Sequence, residues 1–351
     1  MTQYDIYFGT YSKGKGNGLF RGVFDSGSGK IRLVSTIDVE NPSYLQLKGN
    51  ILYGVSELVS FYGENGGALF SIDVKAPKKM RLIDIQATHG KHPCHLFIKD
   101  NNIFVSNYTE GSLSIFNANM ENIQPSVQSL HHFGNGARAD RQEASHIHFA
   151  AATPDGKYIA VCDLGMDKVF LYPWRAEGGI STNAAIICCP PGSGPRHFVF
   201  SGCGRYMYVL TELSNTILVY QYNDGAAKLI QEISTLPYNF SGKSSAAAIH
   251  LSPCGRYVAA SNRGHDSIVF YGIADNGMLA LTSFIITGRE PRDFRFSPCG
   301  NWLLSANQND DSVTVYNINN SLKQTDDEAG SCDFKLPKPV CILFGESIGK
   351  Q

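Results

Sequence analysis

The sequence predicts an all-β fold, a seven-bladed β-propeller with four antiparallel strands per blade. Three observations carry this: a repeat of about 50 residues, short strands with almost no 3.6-residue periodicity, and two chain ends that each supply what the other lacks.

The repeat is clearest in four segments: TPDGKYIAVCDLGMDKVFLY, SGCGRYMYVLTELSNTILVY, SPCGRYVAASNRGHDSIVFY and SPCGNWLLSANQNDDSVTVY. Each has a tight turn ending in glycine, a strand, a polar loop and a second strand. The turn glycines are Gly156, Gly204, Gly255 and Gly300, spaced by 48, 51 and 45 residues. Two weaker copies lie upstream, one with Gly49 in LQLKGNILYGVSE and one with Asn101 where the glycine would stand in LFIKDNNIFVSNYTEGSLSIF. A seventh strand of the same kind opens the chain in YDIYFGTY.

Strands rich in Val, Ile, Tyr and Phe, separated by Gly, Asn, Asp and Ser turns, fit blades read from the axis outward as strands A, B, C and D. PRDFRFS, NWLLSAN and DSVTVYN are the A, B and C strands of one blade. The last segment, PVCILFG, reads as an A strand with no B after it, and the first as a B strand with no A before it. The expectation is that they share one blade and close the ring, which leaves only short edges open to wrong pairing. Residues 1–351 then form a single domain.

Composition excludes several function classes. Lys plus Arg number 30 and Asp plus Glu 31, so no global field favours nucleic acid or an anionic membrane. The opening run lacks a basic region followed by an apolar one, and no segment approaches the roughly 20 apolar residues of a membrane span, which points to a cytoplasmic chain. The 9 cysteines include no C-x-x-C pair, which argues against a disulfide framework or a zinc ribbon. Cys188 and Cys189 should face opposite sides of a strand. The expected state is a monomer or weak homodimer.

The stretch RQEASHIHF, Arg141 to Phe149, is too polar for a strand feeding a core. The repeat accounts for it. Strands A and B run antiparallel, so the start of A and the end of B meet at one end of the blade. Eight residues before the turn glycine stand His148, Arg196 and Arg292; eight after it stand Glu212, Arg263 and Gln308. These side chains are expected to converge on the mouth of a central channel. His146 shares the face of His148, and Arg141 opens the same stretch. His197 should face away from Arg196. The direction of His250, five residues before Gly255, depends on a possible bulge.

The runs from Arg141 to Tyr172, from GSGPRHFVF to YVLTELSNTILVY, and AAAIHLSPCGRYVAASNRGHDSIVFY with REPRDFRFSPCG resemble the lactonase family of seven-bladed propellers. That family includes the propeller-type 6-phosphogluconolactonases and is similar to the carboxy-muconate lactonizing enzymes. The resemblance implies an active site of His148, Arg196, Glu212 and Arg263; the register adds His146, Arg292, His250, Gln308 and Arg141 as expected substrate-binding residues. The implied activity is hydrolysis of a sugar δ-lactone, most simply 6-phosphogluconolactone in the pentose phosphate route, without cofactor or metal. Either Glu212 or His148 is the general base, with histidine favoured, and Arg196 or Arg263 steadies the oxyanion. Arg292 is the spare arginine for a substrate anion. The alternatives are a lactonizing cycloisomerase and a non-enzymatic propeller that binds a partner through exposed aromatics.

Other motifs count for less. There is no G-x-S-x-G elbow and no G-x-x-x-x-G-K loop; YSKGKGNG reads as a loop between strands. His92 and His95 in HPCH should point to opposite faces. His131-His132 and the segment Ser321–Phe334 read as solvated loops.

Overall fold

The computed structural model describes residues 2–12, 18–119, 122–175, 179–318 and 331–348, and among these there is no helix. Each repeat folds as one antiparallel sheet. The blade expected from PRDFRFS is Pro291–Phe296, Trp302–Asn307, Ser312–Asn317 and Ser331–Lys335, hydrogen-bonded in that order. Six further sheets repeat this order, one enlarged by the short strand Asn122–Ile123, and a small hairpin, Ser60–Phe61 with Glu64–Asn65, rises beside the first full blade.

Burial explains why the strands differ in composition. B strands such as Tyr206–Thr211 and Trp302–Asn307 are buried on both faces after their first residue, because each blade is stacked between two others. Outer strands such as Ala226–Ser234 are largely exposed. The core therefore lies between blades. Leu210 and Val219 of one sheet pack against Ile249, Ala260 and Tyr271 of the next. Each of the Leu, Val and Ile side chains among these contributes roughly 1.5–3 kcal/mol on burial.

The ring closes as the chain ends require. Pro339–Ile348 is the A strand for Gln3–Thr10, with Tyr7 opposite Leu343 and Phe8 opposite Ile342. Arg21, from the C strand of this composite blade, stitches it to the next. Its guanidinium makes a bidentate pair with Asp5 at 2.9 and 2.8 Å and donates to the Val74 and Ala76 carbonyls at 2.9 and 2.7 Å.

One device recurs in every A strand: a bulge near its start. The unpaired residues are Ser43, Cys94, His148, Arg196, Arg292 and Val340, and Ala247 with Ala248 oppose the single Ser261. A bulge breaks strict alternation, so adjacent residues can share a face. This corrects the expectation for His197, whose Nε2 lies 3.2 Å from Arg196 Nη1.

Two further expectations change. In the second full blade Asp100, not Asn101, takes the left-handed turn position, with φ +54°, as Gly49 does at +57°. Within Ser321–Phe334, residues 331–334 form the outer strand paired with the C strand at Thr314 and Val315, while 321–330 lie outside the described residues. Residues 13–17 of YSKGKGNG lie outside them too. Cys188 is exposed and Cys189 buried, as alternation requires, and both are free, as are Cys94, Cys162, Cys203, Cys254, Cys299 and Cys341.

Arg21→Ala leaves Asp5 and two carbonyls of the neighbouring blade without their cation. The expected loss is about 3–5 kcal/mol of unfolding free energy, measured by urea denaturation against wild type.

Candidate active site

The residue at or just after the end of each B strand forms a ring at one end of the propeller: Tyr11, Glu57, Tyr108, Leu164, Glu212, Arg263 and Gln308. Six of them stand eight positions after the turn residues Gly49, Asp100, Gly156, Gly204, Gly255 and Gly300. The bulges Cys94, His148, Arg196 and Arg292 meet this ring from the A strands.

Glu212 organises one side. Its Oε2 accepts from Arg196 Nε at 2.9 Å and faces Arg263 Nη2 at 3.1 Å, while Oε1 accepts from Arg141 Nη2 at 2.6 Å. Both oxygens are engaged. Burial alone would raise this carboxyl, but Arg263, Arg196 and Arg141 outweigh it and hold it well below the usual carboxylate range. Arg196 is 3% exposed and also donates to the Ala247 carbonyl; burial, helped by Arg263, brings it down to about 10, so it stays charged at neutral pH. Three guanidinium groups on one carboxylate leave this side net positive.

The histidines flank it. His148 is buried with its Nδ1 3.8 Å from the Cys94 sulfur, and its ring meets Tyr108 edge-on. Burial and then Arg196 hold its pKa well below 6.5, so the imidazole is neutral. The Cys94 thiol is pushed far up by burial, which makes a thiolate–imidazolium pair unfavourable here. His146 stacks on Tyr108 at 4.4 Å and donates from Nδ1 to its carbonyl at 3.0 Å.

Arg141 reaches Glu212 from the loop joining His131 to Ile147. That loop is anchored by His132, which corrects the expectation of a solvated pair. Only His131 is exposed; the His132 side chain is 5% exposed and bridges Asp163 Oδ2 at 2.7 Å and the Tyr172 hydroxyl at 2.6 Å. Ser145 donates to the same Asp163 oxygen at 2.6 Å and the His146 amide to the other at 2.9 Å. A Cβ on Gly165 would stand 1.9 Å from the Ala144 carbonyl oxygen, so only glycine admits the loop at this depth.

Across the ring, Arg292 lies 3.7 Å from Glu57 Oε2 and 5.2 Å from the Tyr11 ring centroid, and the Tyr11 hydroxyl donates to Glu57 at 2.8 Å. Glu57, Tyr11 and Tyr108 were missed by the sequence reading. The count of eight finds Glu57 from Gly49 directly, and Tyr108 once Asp100 is taken as the turn residue.

His250 is not part of this set. It lies three residues beyond the bulge at Ala247, roughly 10 Å along the strand, with Asp293 Oδ1 at 3.1 Å and Arg295 Nη1 at 3.2 Å from its ring nitrogens. Arg295 also donates to Tyr44. This cluster sits deeper in the channel, beside a stack in which His95 lies 4.3 Å from Tyr44 and 4.1 Å from Phe149. Gln308 occupies its ring position half-buried, its backbone N–H donating to the Glu290 backbone carbonyl at 3.0 Å. His92 and His95 do face apart: His92 bonds Thr109 at the surface while His95 is buried.

Residues 5–344 match the profile of the seven-bladed β-propeller lactonases. The chain belongs to that family. It is 33% identical to the 6-phosphogluconolactonase of Bacillus subtilis across 98% of this chain and 99% of that one. The periplasmic gluconolactonase of Pseudomonas aeruginosa superposes with a TM-score of 0.90 at 29% identity, covering 97% of this lactonase-family chain and 99% of the other. A Bacteroides fragilis protein provisionally named a 6-phosphogluconolactonase gives 0.89 at 28%, covering 98% of each chain.

His95, His148 and His197 are all buried with pKa values well below 6.5, burial being the largest cause. The unfolded chain takes up protons that the folded one refuses. Stability is therefore full above about pH 6.5 and declines as pH falls below it, and urea midpoints at pH 8 and pH 5.5 measure the decline. Releasing the loop anchor has a local signature: His132→Ala is expected to speed amide hydrogen exchange across residues 133–146, with the outer strands unchanged.

Proposed function

We propose that this chain hydrolyses a phosphorylated sugar δ-lactone, 6-phosphogluconolactone to 6-phosphogluconate, as the lactonase step of the oxidative pentose phosphate route. The single observation that carries the reading is the set of three guanidinium groups around one fully engaged carboxylate. A buried positive surplus of this kind is stable only beside an anion.

Hydrolysis needs a base for water, stabilisation of the oxyanion, and a proton for the ring oxygen. Of the two base candidates, Glu212 is disfavoured, because both its oxygens are held by arginine and neither is free to take a proton from water. His148 is neutral and fits the task. It takes the proton from water and, in a field set by Arg196 and Arg292 that disfavours imidazolium, passes it on to the leaving alkoxide. Arg196 and Arg263 steady the charge on the carbonyl oxygen.

The phosphate clamp moves from Arg292 to Arg141. Arg292 already faces the Glu57 carboxylate, whereas the Arg141 side chain is 38% exposed and, among the described residues, engages through Nη2 only. A reducing, cytoplasmic setting agrees with free cysteines at positions 203, 254 and 299 on the surface. The partner-binding alternative draws on the exposed Tyr62, Phe133 and Tyr238, but these stand on loops of separate blades.

The test compares enzymatic with spontaneous hydrolysis of freshly made 6-phosphogluconolactone, with gluconolactone alongside. His148→Ala is expected to lower kcat by roughly 10²- to 10⁴-fold, and Arg141→Ala to abolish the preference for the phosphorylated lactone. Because the imidazole titrates well below 6.5, kcat/KM should stay level from pH 7.5 down to about pH 6. No acceleration over buffer by the wild type would overturn the reading.

A further inference from the structure

We propose that Tyr11, Glu57 and Arg292 form a hydroxyl-recognising subsite that restricts the enzyme to polyhydroxylated lactones and turns away lactones bearing carboxylates at that end. The inference rests on the lactone-hydrolase reading and deepens it.

The three residues come from consecutive blades and occupy one arc of the mouth, opposite the Glu212 cluster. The two arcs differ in charge. Arg292 and Glu57 balance each other, while Arg141, Arg196 and Arg263 share one carboxylate. A substrate phosphate is drawn to the second arc and repelled by Glu57 in the first.

The balanced pair is not closed on itself. At 3.7 Å Arg292 and Glu57 are beyond hydrogen-bond length, and among the described residues Arg292 donates no hydrogen bond and Glu57 accepts only from Tyr11. Both side chains are nearly buried yet reachable, at 18% and 16% exposure. A strong donor and a strong acceptor left half satisfied side by side suit a group that both accepts and donates. A hydroxyl does both, and two neighbouring hydroxyls of a sugar ring do so twice.

The pair is held ready for this. Tyr11 supplies its hydroxyl to Glu57 and its ring face to Arg292, so one aromatic orients both charges. Asn41 fixes the backbones behind them: its side chain accepts from the Ser12 amide at 3.0 Å, its amide donates to Ser12 Oγ at 3.1 Å, and its carbonyl accepts from the Glu57 amide at 3.0 Å. A lactone without hydroxyls desolvates this carboxylate and guanidinium without supplying the hydrogen bonds they still lack, and sites built to bond a hydroxyl reject the analogue lacking it by about 10⁴-fold. A carboxylate placed there must compete with Glu57 for Arg292 against direct charge repulsion, which a neutral hydroxyl does not meet.

The experiment measures kcat/KM on gluconolactone, δ-valerolactone and the carboxylated muconolactone for wild type, Glu57→Gln and Tyr11→Phe. Wild type is expected to favour gluconolactone over δ-valerolactone by about 10³-fold or more. Glu57→Gln should shrink that preference at least tenfold, chiefly through KM, and improve turnover of muconolactone; Tyr11→Phe should move the same ratios less. Equal losses on all three lactones through kcat would assign Glu57 to proton transfer instead and overturn the proposal. Unchanged ratios would overturn it as well. Binding of 6-phosphogluconate against a hydroxyl-free 6-phosphohexanoate, measured by calorimetry, keeps the two readings separate. If the wild type fails to hydrolyse lactones but binds the hydroxylated ligand at least tenfold tighter, and loses this in Glu57→Gln, the subsite stands and the hydrolase reading falls. Equal affinity for the two ligands removes the subsite whatever the hydrolysis assay shows.

Discussion

Everything in this molecule depends on closing a ring of sheets that cannot stand alone. Each blade presents two apolar faces, and only a neighbour on either side removes both from water. The seventh blade is built from the two ends of the chain, Pro339–Ile348 beside Gln3–Thr10, so the ring completes only when residues more than 300 positions apart pair. Arg21 then ties that blade to the next through Asp5 and two backbone carbonyls. The cost of this architecture is a set of strand ends gathered at the axis, where backbone and side chains must find polar partners or water.

That gathering is what makes a site. Two registers meet at the mouth, the ends of the B strands and the bulges of the A strands, and each blade contributes one residue to each. Where the residues are Glu212, Arg263 and Arg196, they lock into a charge cluster reinforced from above by Arg141. Where they are Tyr11, Glu57 and Arg292, a looser, neutral group results. The asymmetry gives a bound ring two distinguishable ends. His148 sits beside the charged arc, kept neutral by burial and by the arginine field, which leaves the imidazole unprotonated and able to accept a proton, and which would spoil an electrostatic anchor.

Much of this was legible before any coordinates. The repeat yields the blade count, the closure and the count of eight that finds His148, Arg196, Glu212 and Arg263. Glu57 obeys the same rule from Gly49, and was overlooked because the rule was applied to the stronger repeats alone. Tyr108 was hidden by a one-residue shift, since the left-handed turn position falls on Asp100. His197 was turned the wrong way because alternation was carried through a bulge, and His132 was taken for a surface residue because nothing local announces Asp163 and Tyr172 as its partners.

The sequence by itself determined the fold, its seven-part symmetry and which residues face the mouth, because these follow from period and register, which are local properties of the chain. Tertiary structure alone decided which of those residues act together. Repeat spacing brings Arg196, Arg263 and Glu212 to the mouth, but that they converge on one carboxylate, and that Arg141 joins them from a loop no spacing relates to it, is decided by distances of about 3 Å. The same holds for the neutrality of His148 and the open pairing of Arg292 with Glu57. Burial and electric field are set by neighbours across the ring, and those exist only once it has closed.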